Sequence, residues 1–217
     1  MLRSNIVRNK TIFVNIMSNS EPAIFKIYTD GGCLNNGKKN AICSIGIHFP
    51  KRNLYPIIDV SRVLDVQKSS NNVAELTAIQ EALKIYSKEN IKIPLNIYSD
   101  SKYSMNCITQ WYPNWKKKGI VETKKNHELI TDIVNLYQEM NKGLQINFKY
   151  IEAHTGKIDE DSIGNSIADQ LASQALKGYS NKFEQFGNLK TKPTKDLKSK
   201  PTKDSKSKPG DISKYFS

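Results

Sequence analysis

Between Ile24 and Tyr179 the large apolar residues switch repeatedly between two spacings, and this alternation constrains the fold more than any other feature. Ile24–Tyr28, Ala41–Phe49 and Tyr55–Val60 read as strands, with apolar residues at the period of two that a pleated chain buries on one face. From Asn72 to Tyr86 the apolar positions 76, 79, 82, 83 and 86 follow helical spacing. Leu95–Tyr98 reads as a further strand, and Ser101–Trp111 as a helix. Residues 126–141 place Leu129, Ile130, Ile133, Leu136, Tyr137 and Met140 on one helical face. Leu144–Ile151 alternates as a half-buried strand, and Ile163–Tyr179 closes the pattern as a helix. The order βββαβααβα predicts an α/β domain in which a five-stranded mixed sheet is flanked by helices.

The 217 residues provide one such domain with extensions at both ends. The folded domain is expected at 23–186, after an N-terminal extension, 1–22. Residues 1–16 carry three basic residues and no acids. They are compatible with a mitochondrial presequence, or equally with a dispensable segment ahead of Met17. Residues 187–209 repeat Lys-Pro-Thr-Lys-Asp and hold few large apolar residues, so a flexible, disordered basic linker is expected there. The net charge is +12, and residues 187–217, with nine Lys and three Asp, supply half of it. Excess positive charge points to a polyanionic partner, nucleic acid first, or to a lysine-rich solubilising tail. Cys33, Cys43 and Cys107 form no CxxC pair, which argues against a zinc ribbon and a secreted disulfide scaffold. No apolar run reaches membrane-spanning length, so the expected setting is soluble and intracellular, in cytoplasm or nucleus, with no membrane partner.

Four carboxylates fall at the ends of these elements. Asp30 closes the first strand in Tyr28-Thr29-Asp30-Gly31-Gly32, and Asp100 closes the fourth in Tyr98-Ser99-Asp100-Ser101. Glu75 sits in the first turn of the first helix, and Asp169 in the last helix. Each has an ordinary alternative: a turn at Asp30-Gly31-Gly32, a capping box of Asn72 with Glu75, a cap at Asp100, a solvated carboxylate at Asp169. Together they can converge on one end of the sheet, where unpaired carboxylates repel and resist ionisation. Divalent cations relieve that repulsion, and oxygen-only ligands suit Mg²⁺ or Mn²⁺. Two such ions can activate a water and stabilise a leaving oxygen in phosphodiester cleavage.

The segments YTDGG, NNVAEL, YSDSKY, NWKKKG, EAHTG and GNSIADQLA occur in that order, and through them residues 23–180 resemble the ribonuclease H type 1 family. The resemblance implies a ribonuclease H-like fold. It also implies a monomeric endonuclease that hydrolyses the RNA strand of RNA–DNA hybrids with two metal ions, leaving 5′-phosphate and 3′-hydroxyl ends, in primer or R-loop removal. Asp30, Glu75, Asp100 and Asp169 match the family's metal-binding acids. His154 matches its mobile-loop histidine, which assists proton transfer or product release. Asn36, Asn71 and Asn72 match residues that read the minor groove, where 2′-hydroxyls distinguish RNA from DNA. Tyr103 and Trp111 match aromatics along the DNA strand. Lys68, Ser70 and Asn126 match a DNA-phosphate pocket, and Trp115-Lys116-Lys117-Lys118-Gly119 matches a basic protrusion.

The chain departs from the pattern at three places. The stretch after Gly119 is shorter than in the common bacterial form. The interval from His154 to Asp169 is longer, with Lys157–Ser162 inserted, which puts the reach of His154 in question. The N-terminal 22 residues are too short for a hybrid-binding module. An integrase or resolvase on the same fold, and a non-catalytic hybrid-binding module, are the competing classes. The NNVAEL segment and basic protrusion argue against the first, and the complete acid set against the second. At the C-terminus, Ile212, Tyr215 and Phe216 share one side of a short helical turn in 210–217. That pattern resembles the sliding-clamp (PCNA) interaction peptide, with Pro209 where Gln is usual.

Overall fold

The computed structural model of the chain describes residues 23–50, 55–65 and 70–189. The extension 1–22, Lys68, residues 190–209 of the expected linker and the peptide 210–217 lie outside the described residues. Strands β1 (Phe25–Leu34), β2 (Ile42–His48), β3 (Val60–Val63), β4 (Leu95–Ser99) and β5 (Ile146–Tyr150) form one sheet in the order β3-β2-β1-β4-β5. The first three make an antiparallel meander, while β4 and β5 join parallel, so the sheet is mixed as expected. Parallel addition of β4 requires a crossover, which α1 (Asn71–Lys88) provides. The short helices α2 (Lys102–Asn106) and α3 (Tyr112–Lys117) precede α4 (His127–Met140), and α5 (Glu160–Leu189) ends the described chain.

Alternation along β1 divides its side chains between two layers. Phe25 and Ile27 enter the main core with Ile45, Leu76, Ile79 and Ile130. Tyr28 points the other way, stacks on Tyr98 at 4.8 Å and packs with Ala168 of α5. Full burial contributes about 1.5–3 kcal/mol per large apolar side chain. Exposed ion pairs contribute roughly 0–1 kcal/mol each, so the buried side chains hold the helices on the sheet. Among the described residues no helix is long and apolar enough to cross a membrane.

Four expectations change. First, β1 does not stop near Asp30 but continues through Gly31 and Gly32 to Leu34. The glycines serve close packing, not a turn: a Cβ on Gly31 would lie 2.5 Å from the Ala74 carbonyl carbon, and one on Gly32 2.9 Å from Leu176 Cδ1. Second, β3 begins where the expected 55–60 strand ends. Pro56 has no N–H for a ladder, and Tyr55 instead packs its ring 5.9 Å from Phe25. Third, the expected helix 101–111 passes from α2 into a π-helical turn, Cys107–Trp111, before α3. Pro113 cannot donate to the preceding turn, and the widened turn absorbs the mismatch. Last, α5 starts at Glu160 and runs to Leu189, past the expected end at Tyr179 and three residues beyond the domain boundary at 186.

Candidate active site

The parallel pairing of β1 with β4 brings the first two acids together. Tyr28 is paired with Tyr98, and Asp30 and Asp100 each lie two residues further along, at the same end and on the same face. The close approach of α1 at Gly31 adds Glu75 from above. One carboxylate oxygen from each of Asp30, Glu75 and Asp100 can be chosen so that all lie within 4.8 Å of one another. Asp30 is 8% exposed and Glu75 5%. Asp169 falls outside this tight group. It faces a cavity of about 300 Å³ with His154, Glu152, Lys157, Asn165 and Ser166.

For Asp30, Glu75 and Asp100 the ordinary alternatives do not hold in the structure. Ser70, not Asn72, caps α1, its hydroxyl accepting from the Val73 amide at 3.3 Å. Ser101, not Asp100, caps α2. Asp100 instead accepts a 3.0 Å hydrogen bond from Asn165 Nδ2 of α5. Asn165, 4% exposed, was not among the expected site residues. Its place on the stripe 165, 168, 172 that carries buried Ala168 and Ala172 was the available signal.

Burial, then the charges of Asp100 and Asp169, push the Asp30 carboxyl up to about 7, against the Gly31 amide and His154. Burial, then Asp30 and Asp100, hold Glu75 well above the usual carboxylate range. Glu75 Oε2 is buried with no hydrogen-bond partner. A buried, partnerless carboxylate oxygen beside two more carboxylates fits a hard divalent cation, which takes oxygen ligands and offsets their charge.

A consequence follows for the ion-free protein. The folded state binds these protons more tightly than the unfolded chain, where Asp titrates near 3.8 and Glu near 4.5. The Asp30 contribution is therefore complete below about pH 4 and lost as pH rises through about 7, and that of Glu75 is lost only well above its ordinary range. In chelator, urea unfolding should find Asp30→Asn more stable than the parent at pH 8, by about 1–4 kcal/mol, with the gap closing towards pH 4. Parallel stability curves from pH 4 to 8 would contradict this.

The remaining expected residues form two groups. Asn36 Oδ1 accepts from the Asn71 amide at 3.1 Å, tying the β1–β2 turn to the start of α1, where Ser70 and Asn72 also lie. On the other side, Tyr103 and Trp111 meet edge to face at 6.0 Å, and Trp111 and Trp115 are also 6.0 Å apart. Trp111 is 37% exposed, while Tyr103 and Trp115 are partly buried against the core. Asn126, at φ 61°, donates to the Tyr103 hydroxyl at 3.2 Å. Lys116, Lys117 and Lys118 are exposed at the end of α3, which Gly119 terminates at φ 64°. His154 is exposed at φ 51° in the loop before α5.

Two of the inserted acids are engaged at the start of α5. Asp159 caps α5 through the Ser162 amide at 2.9 Å. Asp161 accepts from Tyr28 Oη at 2.6 Å and from Lys26 Nζ at 2.8 Å, tying the start of α5 to β1.

A family model described as RNase H matches residues 22–177. The chain is 39% identical over 149 residues to a probable ribonuclease H of Acanthamoeba polyphaga mimivirus, covering 65% of this chain and 62% of that one. It is 32% identical over 146 residues to a ribonuclease H of Schizosaccharomyces pombe, covering 67% of this chain and 50% of that one. The chain therefore spans half to just under two-thirds of the length of these two relatives. A Clostridium botulinum ribonuclease H is 32% identical over 151 residues, covering 69% of this chain and 93% of that one. Among solved structures, the prototype foamy virus protease-reverse transcriptase is similar at a TM-score of 0.57 and 24% identity, covering 69% of this chain and 20% of that one. LC9-RNase H1 is similar at 0.52 and 20% identity, covering 74% and 75%. These two likenesses concern the fold. The family match runs from just before β1 into α5 and takes in all four acids, and the chain belongs to the RNase H family.

Proposed function

We propose that this chain is an endonuclease that cleaves the RNA strand of RNA–DNA hybrids. The observation that carries the reading is the meeting of Asp30, Glu75 and Asp100 within 4.8 Å, with a buried Glu75 oxygen lacking a partner. Its relatives' names, ribonuclease H, support the same chemistry. Asp30, Glu75 and Asp100 would hold one Mg²⁺ or Mn²⁺, and Asp30 with Asp169 a second. Such ions supply an activated water and charge stabilisation at the leaving oxygen.

The side chains around the acids supply the rest. Asn165 fixes one Asp100 oxygen and with it the orientation of that carboxylate. Asn36, Asn71 and Asn72 sit where amide groups can donate to and accept from 2′-hydroxyls, the groups that distinguish the RNA strand. Trp111, Tyr103 and Trp115 offer ring surface to the DNA strand. Lys68, Ser70 and Asn126 are proposed to grip one of its phosphates. A ring nitrogen of His154, exposed beside Asp169, can pass a proton to the departing 3′-oxygen or help release product. Primer or R-loop removal is the proposed cellular role. Docking of Ile212, Tyr215 and Phe216 on a sliding clamp is a further proposal, carried by the sequence pattern alone.

Incubating the full chain with a hybrid labelled on each strand in turn, with Mg²⁺ or with chelator, tests the function. Cleavage confined to RNA and dependent on the ion is expected; cleavage of the DNA strand, or in chelator, would overturn it. The lysine run has its own test. Replacing Lys116, Lys117 and Lys118 together by Ala should weaken hybrid binding and lower its log–log salt slope by about 2, as fewer counterions are released. The rate at saturating hybrid should stay nearly constant. An unchanged slope would show a solvated surface with no phosphate contact.

A further inference from the structure

Cys33 of β1 and Cys43 of β2 are direct cross-strand partners. Directly paired antiparallel residues have Cα atoms about 4.5–5.5 Å apart, inside the span of about 4.4–6.8 Å that disulfides bridge. Both side chains leave the same face of the sheet, and the two Sγ atoms are 3.1 Å apart. Cys33 is partly exposed and Cys43 is buried. Cys43 Sγ also lies 3.3 Å from the carbonyl oxygen of Ser70. That oxygen accepts the first hydrogen bond of α1, from the Ala74 amide at 3.0 Å, and Asn71 and Asn72 follow directly.

We propose that Cys33 and Cys43 form a reversible cross-strand disulfide that loosens the start of α1 and weakens hybrid binding. The bridge rests on the geometry of β1 and β2 alone; its effect on binding rests on the function proposed above. The oxidant is a small-molecule disulfide such as oxidised glutathione. The Cys33 thiolate attacks one of its sulfurs, forming a mixed disulfide and releasing one glutathione thiolate, which takes up the proton Cys33 lost. The Cys43 thiolate then attacks the Cys33 sulfur and releases the second glutathione in the same way. Two cysteine thiols and one oxidised glutathione thus become one cystine and two reduced glutathiones. Bridging removes the Cys43 thiol proton and draws its sulfur away from Ser70 towards Cys33. The cap of α1 loses that contact, and the Asn36–Asn71 hydrogen bond, which joins the same two segments, shifts with it.

Trypsin cuts after Lys38 and Lys39, so the two cysteines leave on separate peptides joined only by the bridge. The full chain is incubated with oxidised glutathione, mapped without reductant and titrated for thiols after denaturation. The expected result is linked peptides carrying Cys33 and Cys43, and a fall from three titratable thiols to one. KM for a hybrid should rise by about threefold to tenfold, the size of one lost hydrogen bond, with kcat changed less. Dithiothreitol should restore both. Cys33→Ser, altered at the partly exposed partner, should cleave like the parent and ignore the oxidant. Three surviving thiols, a bridge to Cys107, or an unchanged KM in the bridged protein would each overturn the proposal. If neither form cleaves hybrid, the proposed function fails instead, and the thiol count still decides the bridge.

Discussion

Asp100→Asn should lower cleavage of the RNA strand by roughly 10³-fold or more while the protein stays folded. The side chain keeps its size, and an amide oxygen can still accept from Asn165. What it loses is the negative charge that, in the proposed function, holds a hard cation between β4, β1 and α1. Amides bind such ions poorly beside carboxylates, and ion stabilisation of the reacting oxygens is worth several kcal/mol at about 1.4 kcal/mol per tenfold. His154→Ala should cost far less, about 10²-fold, because one proton-transfer group at the rim contributes at that level. Single-turnover cleavage of a labelled hybrid, with circular dichroism to establish folding, measures both. Folded Asp100→Asn protein cleaving at near the parent rate would remove the acid cluster from the chemistry.

The second large effect is expected at Gly31. A Cβ there would lie 2.5 Å from the Ala74 carbonyl carbon and 2.8 Å from Glu75 Cα, both backbone atoms of α1. Backbone in a helix cannot rotate aside as a side chain can, so α1 must move off the sheet. Gly31→Ala should destabilise the fold by about 3 kcal/mol, at the upper end for overpacking. It should also separate Glu75 from Asp30, so cleavage falls even where the protein remains folded. Gly178→Ala is the contrasting case, for it lies within α5 with nothing within 4 Å of the added methyl group. There the lower backbone entropy of the unfolded chain should make alanine stabilising by about 0.5–1 kcal/mol. Urea midpoints for the two variants decide it; similar behaviour would mean that close packing at Gly31 does not position α1.

These two sites also show which parts of the molecule were legible in the sequence. Glu75 stands at helical spacing from Ile79, Ala82 and Tyr86, so its burial could be read from periodicity. Asp30 and Asp100 were legible as acids following apolar strands, but their meeting depends on a parallel register that period-two alternation does not specify. Gly31 and Gly32 were open to two readings, since a turn and a close approach use the same residue. Only the position of α1 decides between them. β3 was misplaced because Tyr55 and Ile57, which carry the strand-like pattern, pack on the core from outside the ladder. Val60–Val63, which does pair with β2, exposes Ser61 and Arg62 and has little apolar signal. Asn165 was overlooked because a polar residue on an apolar helix stripe gains its meaning from a partner 65 positions away.

The strand and ion dependence of cleavage by the full chain tests the proposed nuclease most directly. A hybrid carrying a 5′ label on the RNA, compared with the same RNA alone and with matching duplex RNA and duplex DNA, is incubated with Mg²⁺ from zero to saturation. Cuts are expected in the RNA of the hybrid alone, absent in chelator, restored by Mg²⁺ or Mn²⁺, and lost in Asp100→Asn. Ion-independent cleavage, equal cleavage of the RNA strand in isolation, or full activity in folded Asp100→Asn protein would contradict it.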